Sequence, residues 1–110
     1  MIKFINRKIE RKLSRQSICE GGRIIFMFYI YILRSKSYPQ KTYTGYTINL
    51  KQRLADHNCG ESVHTAKYGP WRLETYFAFE DESVAIKFEK YLKSGSGRAF
   101  AKKHFLKTFL

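Results

Sequence analysis

Between residues 28 and 47 the chain carries two aromatic and β-branched segments with only a short stretch of turn chemistry between them. Phe28, Tyr29, Ile30, Tyr31, Ile32 and Leu33 form the first, and Thr42, Tyr43, Thr44, Tyr46 and Thr47 dominate the second. Such side chains suit a pleated, half-buried surface. The link, Ser35-Lys36-Ser37-Tyr38-Pro39-Gln40, bars a central strand at Pro39. It is also far shorter than the dozen or so residues a parallel crossover needs. The chain is therefore committed to an antiparallel hairpin here.

Downstream the period lengthens. Leu50 and Leu54 mark the inner stripe of a helix that Thr47 or Asn49 can cap and Gly60 follows. Residues 61–70 read as a loop ending in Gly69-Pro70. Trp71–Phe79 then alternates, which puts Trp71, Leu73, Thr75, Phe77 and Phe79 on one buried face of a third strand. Asp81 caps a second helix over Glu82–Lys93, with Val84, Ala85, Phe88, Tyr91 and Leu92 as its expected inner face. Ser94-Gly95-Ser96-Gly97 breaks it, and residues 99–110 make a short terminal helix or a mixed tail. The order ββαβα with a C-terminal helix is an α+β fold, one small sheet with helices against it.

At 110 residues the chain is one domain's worth. Its 44% hydrophobic and 27% charged residues are ordinary for a globular protein and exclude disorder over most of the length. Residues 1–26 stand apart, with seven Lys/Arg against two Glu and few apolar side chains. Ile2, Ile5, Ile9 and Leu13 fit a basic amphipathic helix over 3–16, and a disordered arm is the alternative. Met27 is a second candidate start, so we read 1–26 as a basic N-terminal extension and 27–110 as the domain. The apolar run 24–33 is far shorter than the ~18–20 residues that span a bilayer. No small-x-small cleavage site follows it, which makes it a buried strand in a cytoplasmic protein with no membrane partner. Cys19 and Cys59 give neither a disulfide scaffold nor zinc-ligand spacing.

Lys and Arg total 21 against nine Asp and Glu, a formal charge of +12. So strong an excess calls for a polyanion, with nucleic acid ahead of an anionic membrane surface. Lys51, Lys67, Arg98, Lys102 and Lys103 are candidate phosphate contacts. The sequence has no phosphate-binding G-x-x-x-x-G-K-[ST] loop, no G-x-G-x-x-G, no H-E-x-x-H and no G-x-S-x-G elbow. No small organic cofactor is expected, and the residues name no protein partner.

What remains is a set of polar residues close to apolar stripes. Tyr29 and Tyr31 share one strand face, and Tyr43 precedes Gly45, where a missing side chain leaves space for a ligand backbone. Arg53 and His57 are four apart on the first helix and flank Leu50 and Leu54. Glu89 falls at the margin of the second helix's apolar stripe. Hydrolysis of a phosphodiester needs a metal Lewis acid, a cation for developing charge and a group that deprotonates water. Glu89, Arg53 and a Tyr/His set are the residue types for those tasks. Packed tyrosines, an exposed Arg and a surface Glu are the structural alternative for the same residues.

Tyr29-Ile30-Tyr31, eleven residues, then Tyr43-Thr44-Gly45 resembles the paired signature of the GIY-YIG nuclease superfamily. The likeness continues through Tyr46-Thr47-Ile48-Asn49-Leu50, Arg53, His57, Gly69-Pro70-Trp71, Leu73 and the helix around Glu89. It covers about residues 27–100 and is similar to the small stand-alone members, relatives of the bacterial excision-repair incision subunit's catalytic domain. It implies a three-stranded antiparallel sheet flanked by helices and one-metal hydrolysis of DNA with Mg²⁺ or Mn²⁺, in repair or processing. By resemblance Tyr31 and Tyr43 are the signature tyrosines, with Tyr31 activating water. Arg53 is the helix arginine, Glu89 the metal ligand, and His57 an aid to proton transfer. Tyr29 replaces the first Gly of the signature, and Ala101-Lys102-Lys103-His104 stands where many members carry an Asn. The second departure favours the rival reading, a nucleic-acid-binding module that cuts weakly or not at all.

Overall fold

The computed structural model describes residues 17–60 and 63–107. The expected helix over 3–16 lies outside them. Ser17–Glu20 (β1) and Arg23–Phe26 (β2) pair antiparallel as a separate two-stranded sheet, Glu20 opposite Arg23. The two-residue turn between them is Gly21-Gly22, with φ of 55° and 78°. Two successive positive φ values define the type I′ turn that matches strand twist, and glycine adopts them without a Cβ clash.

The main sheet consists of Phe28–Ser35 (β3), Thr42–Thr47 (β4) and Trp71–Phe79 (β5) in the order β4-β3-β5. Both pairings are antiparallel, and Tyr31 lies opposite Gly45 on one side and Tyr76 on the other. Leu50–Asn58 (α1), a short turn of helix Val63–Ala66 (α2), Glu82–Lys93 (α3) and Gly95–His104 (α4) complete the chain. This is the α+β, three-stranded antiparallel architecture with flanking helices. Among the described residues no helix is long and apolar enough to cross a membrane.

The apolar core lies on one face of the sheet. Ile30, Ile32 and Tyr46 pack there against Ala85, Leu92 and Ala101 from α3 and α4, with Phe88 and Phe105 at the margin. Ring contacts of Phe77 with Phe88 (4.8 Å) and Phe105 (5.2 Å) close the β5 side. The inner face of α3 is rotated from the expected one. Ala85, Glu89 and Leu92 are buried, while Val84 and Tyr91 are 45% and 41% exposed. Ala85, Glu89 and Leu92 still follow helical spacing, so the displacement is one of phase.

The third strand also departs from simple alternation. Ile32 faces Thr75 but Leu33 faces Leu73, so Glu74 is an extra residue, a β-bulge. The bulge sends Trp71 and Leu73 to the opposite sheet face from Thr75, Phe77 and Phe79. The cause sits in Arg34, buried in the middle of the sheet end. Its guanidinium pairs with both Glu74 carboxylate oxygens and also donates to the carbonyls of Pro39 (2.5 Å) and Lys107 (2.8 Å). Burial alone would raise the Glu74 pKa. Hydrogen bonds from Arg34 and the Lys107 amide, with the charges of Arg34 and Arg72, outweigh it and hold the carboxyl below its ordinary range. On the face thus reached, Trp71 Nε1 donates to the Thr65 carbonyl at 2.8 Å, and Asn58 brackets the Trp71 backbone.

Candidate active site

The side of the sheet away from the core carries Tyr29, Tyr31 and Leu33 of β3 and Tyr43, Gly45 and Thr47 of β4. The Tyr31 ring is buried and lies across β4 at Gly45, where any Cβ would overlap its hydroxyl and ring carbons. The space that Gly45 was expected to leave for a ligand backbone is filled by Tyr31. The Tyr43 ring stands beside it, with centroids 6.3 Å apart.

Helix α1 covers this face. Asn49 caps it by accepting from the Gln52 amide at 3.1 Å, and Thr47 Oγ1 accepts in turn from the Asn49 amide. Its buried residues are Arg53, Asp56 and His57, whereas Leu50 and Leu54 are only partly buried. The inner stripe of α1 is therefore polar, contrary to the expected leucine stripe. The reason is what it meets, a layer of hydroxyls able to satisfy buried donors and acceptors.

Arg53 Nε donates to the Tyr31 hydroxyl at 3.2 Å, and that hydroxyl lies 2.8 Å from His57 Nε2. His57 Nδ1 is 2.6 Å from Thr65 Oγ1 on α2. Burial and then the Arg53 charge push the His57 pKa down to about 3, so the imidazole is neutral at physiological pH. A neutral ring has one N–H for its two contacts. Arg53 donates to the Tyr31 oxygen, and the direction that gives each remaining acceptor one proton runs from Tyr31 to His57 to Thr65. Asp56 Oδ1 accepts from the Gln52 amide side chain at 3.0 Å.

Tyr43 is packed 5.0 Å from the His57 ring, centroid to centroid. Burial raises its pKa, and Glu89 adds to the rise while Arg53 opposes it, so Tyr43 remains a protonated donor. The Arg53 guanidinium approaches the Tyr43 hydroxyl without hydrogen-bond geometry. That hydroxyl and Arg53 Nη1 are both buried and form no hydrogen bond. Two buried donors on one spot suit an incoming anion.

Glu89 is 0% exposed, and neither carboxylate oxygen has a hydrogen-bond partner. It faces Lys93, one helical turn on, whose Nζ lies 3.1 Å from Oε2 and 6.0 Å from the Tyr43 ring centroid. Tyr31, Tyr43, Arg53 and His57 thus converge, and Glu89 is joined to them through its charge on Tyr43. The fit to a divalent ion rests on Glu89. Among the described residues no three His, Cys, Asp or Glu gather as a ligand set. A single buried carboxylate with no hydrogen bond to either oxygen is a donor set that fits a divalent ion completed by waters and a phosphate.

A pocket of about 270 Å³ opens beside Tyr43, with Thr42, Thr44, Lys93, Arg98 and Lys102 on its walls and Ile32, Leu92, Ala101 and Leu106 behind them. Lys51, Lys67, Arg98, Lys102 and Lys103 are all exposed, but only Arg98 and Lys102 of the five line it. Lys67 lies over the Tyr68 ring at 5.4 Å. Sequence reasoning missed Thr65 and Lys93. Thr65 gave no signal within its loop, whereas Lys93 could have been found from its i+4 spacing to Glu89.

A small antiparallel sheet with signature tyrosines and a helix arginine on one face, and a buried glutamate within electrostatic reach of Tyr43, defines a class of domain. Residues 27–103 match the GIY-YIG catalytic domain, and the chain belongs to the GIY-YIG family. It is 40% identical over 72 residues to a UPF0213 protein encoded in the ldhD 5' region of Pediococcus acidilactici, covering 63% of this chain and 71% of that protein. A UPF0213 protein of Streptococcus pyogenes serotype M5 is 35% identical over 72 residues, 64% of this chain and 76% of the relative. A structure-specific endonuclease subunit SLX1 homolog of Giardia intestinalis is 34% identical over 77 residues, 66% of this chain. The chain spans only about a fifth, 21%, of that longer protein.

Proposed function

We propose that this chain is a metal-dependent endonuclease that hydrolyses phosphodiester bonds in DNA, with branched or otherwise structured DNA as its substrate. The observation that carries the reading is the buried chain Arg53–Tyr31–His57 with Tyr43 and Glu89 beside it. A sheet and a helix packing for stability alone would bury apolar side chains in that layer. The preference for structured DNA follows the Giardia relative, which is named a structure-specific endonuclease subunit. On this reading the work is DNA repair or processing in the cytoplasm.

The roles follow from protonation and charge. Water attacks phosphorus as the bond from phosphorus to the departing sugar oxygen breaks. The water's proton goes to the Tyr31 oxygen while the Tyr31 hydroxyl proton moves towards His57 Nε2, and the departing oxygen takes up a proton from solvent. His57 is a neutral acceptor held in place by Thr65, so it orients Tyr31 and receives the proton only transiently. Arg53 fixes the Tyr31 oxygen through Nε and presents Nη1 to the phosphoryl oxygens, where negative charge develops. Tyr43, kept protonated, donates to the same oxygens. Glu89 would hold Mg²⁺ or Mn²⁺, which when bound supplies Lewis-acid polarisation of the phosphate. The exposed Lys51, Lys67, Arg98, Lys102 and Lys103 hold the backbone by charge.

The test is nicking of plasmid and branched oligonucleotide DNA with Mg²⁺ or Mn²⁺. Wild type cuts, and Glu89→Gln, which keeps the shape and removes the charge, binds the same DNA in EDTA but cuts at least ~100-fold more slowly. Wild-type rates in Glu89→Gln would remove the metal assignment. Binding with no nicking in either metal would leave a nucleic-acid-binding module.

A further inference from the structure

We propose that Lys93 is a built-in counter-ion with two positions: it occupies the cation place on Glu89 in the metal-free protein and, displaced by a divalent ion, engages a nucleic-acid phosphate in the adjoining pocket. The inference rests on the metal-binding reading of Glu89. A fully buried carboxylate without a compensating charge is costly, and here the compensation is Lys93 Nζ at 3.1 Å. The contact lacks hydrogen-bond geometry, and both carboxylate oxygens keep their lone pairs unused. It is a charge contact that a cation with stronger demand for oxygen can replace.

Lys93 is also the residue that joins Glu89 to the pocket. Its side chain is 29% exposed and lines the pocket with Arg98 and Lys102. None of the ten lining residues is acidic, and Thr42, Tyr43 and Thr44 add hydroxyls. An ammonium on a flexible four-carbon stem that leaves Glu89 joins two other cations beside Tyr43. Three cations and three hydroxyl-bearing residues without a carboxylate suit a phosphodiester. The pocket is at the small end of ligand sites, large enough for one nucleotide's phosphate and sugar. Metal binding and substrate gripping are then coupled through one side chain, because the ion that takes Glu89 frees the lysine that holds the backbone.

Calorimetric titration with Mn²⁺ alone tests the first position. Lys93→Met removes the competitor and is expected to bind Mn²⁺ at least ~10-fold tighter than wild type. Lys93→Arg, with a bidentate hold on Glu89, is expected to bind it several-fold more weakly. Lys93→Met should melt below wild type in EDTA and gain more from added Mn²⁺. Unchanged Mn²⁺ affinity in both variants overturns the proposal, and if Lys93→Met does not fold, the Lys93→Arg result decides. DNA anisotropy tests the second position. Lys93→Met should match wild type in EDTA and bind several-fold more weakly in Ca²⁺, whereas equal losses in both media refute the exchange. All these readouts are binding or melting. A wild type that shows the exchange but never nicks DNA defeats the nuclease reading alone, and a nicking enzyme without the exchange defeats this one.

Discussion

His57 is the residue whose chemistry most depends on burial. In the unfolded chain an imidazole takes up a proton as pH falls through ~6.5, but in the fold His57 stays neutral until about 3. Between those values the unfolded state binds more protons, so stability is complete above ~6.5 and drains as pH falls towards 3. The loss amounts to about 2 kcal/mol by pH 5. Urea midpoints of wild type and His57→Gln between pH 7.5 and 5 should therefore converge, and parallel curves would show that His57 titrates alike in both states. A neighbouring position makes a steric prediction. Gly45→Ala drives a methyl into the Tyr31 ring and should cost about 1–3 kcal/mol, with nicking lost beyond what the stability change explains. Tyr31, Tyr43, Gly45, Arg53, His57 and Glu89 could all be picked out from the sequence because their spacing is local or carries the family signature. Gly45 showed that a side chain was unwelcome but not which group would fill the gap, since Tyr31 is its neighbour only across the ladder.

At the scale of elements, existence and type were readable and phase was not. The three strands of the main sheet and the helices capped by Asn49 and Asp81 follow from period and capping chemistry. The inner faces of α1 and α3 went astray for one physical reason. Apolar stripes do not mark the buried side here, because both helices turn a charged residue inward: Arg53 meets hydroxyls of the facing layer, and Glu89 meets Lys93 of its own helix. The β1–β2 hairpin was missed although Gly21-Gly22 is a hairpin turn signal, because the basic charge around it drew the segment into the arm. The bulge in β5 was invisible because Arg34 reaches Glu74 across 40 residues of sequence. Glu74→Ala removes the carboxylate that pairs with the buried Arg34 guanidinium, and should lower stability by about 3–5 kcal/mol in urea unfolding. Arg34→Met with Glu74→Leu, which removes both charges, should recover most of that loss. A Glu74→Ala variant as stable as wild type would mean the bulge holds without its ion pair.

For the whole molecule the governing quantity is charge, +12 over 110 residues. Residues 1–26 carry +5 of it, which leaves +7 on the part that includes the site. Exposed lysines bring counterion release, and log affinity falls by roughly 0.9 per log unit of salt for each phosphate neutralised on duplex DNA. The site contributes differently. Arg53 and Glu89 are buried, and buried charges are screened far less than exposed ones. Affinity and catalysis should therefore separate when residues 1–26 are removed. The shortened protein is expected to keep the melting temperature and the nicking rate at saturating DNA, while its dissociation constant rises and the slope of log affinity against log salt between about 50 and 200 mM becomes shallower. Fluorescence anisotropy over that salt range gives the slope, and a plasmid nicking series gives the rate. If the shortened protein loses nicking at saturation or becomes insoluble, residues 1–26 support the fold or the site directly. An unchanged slope would mean that their charges never reach the phosphates.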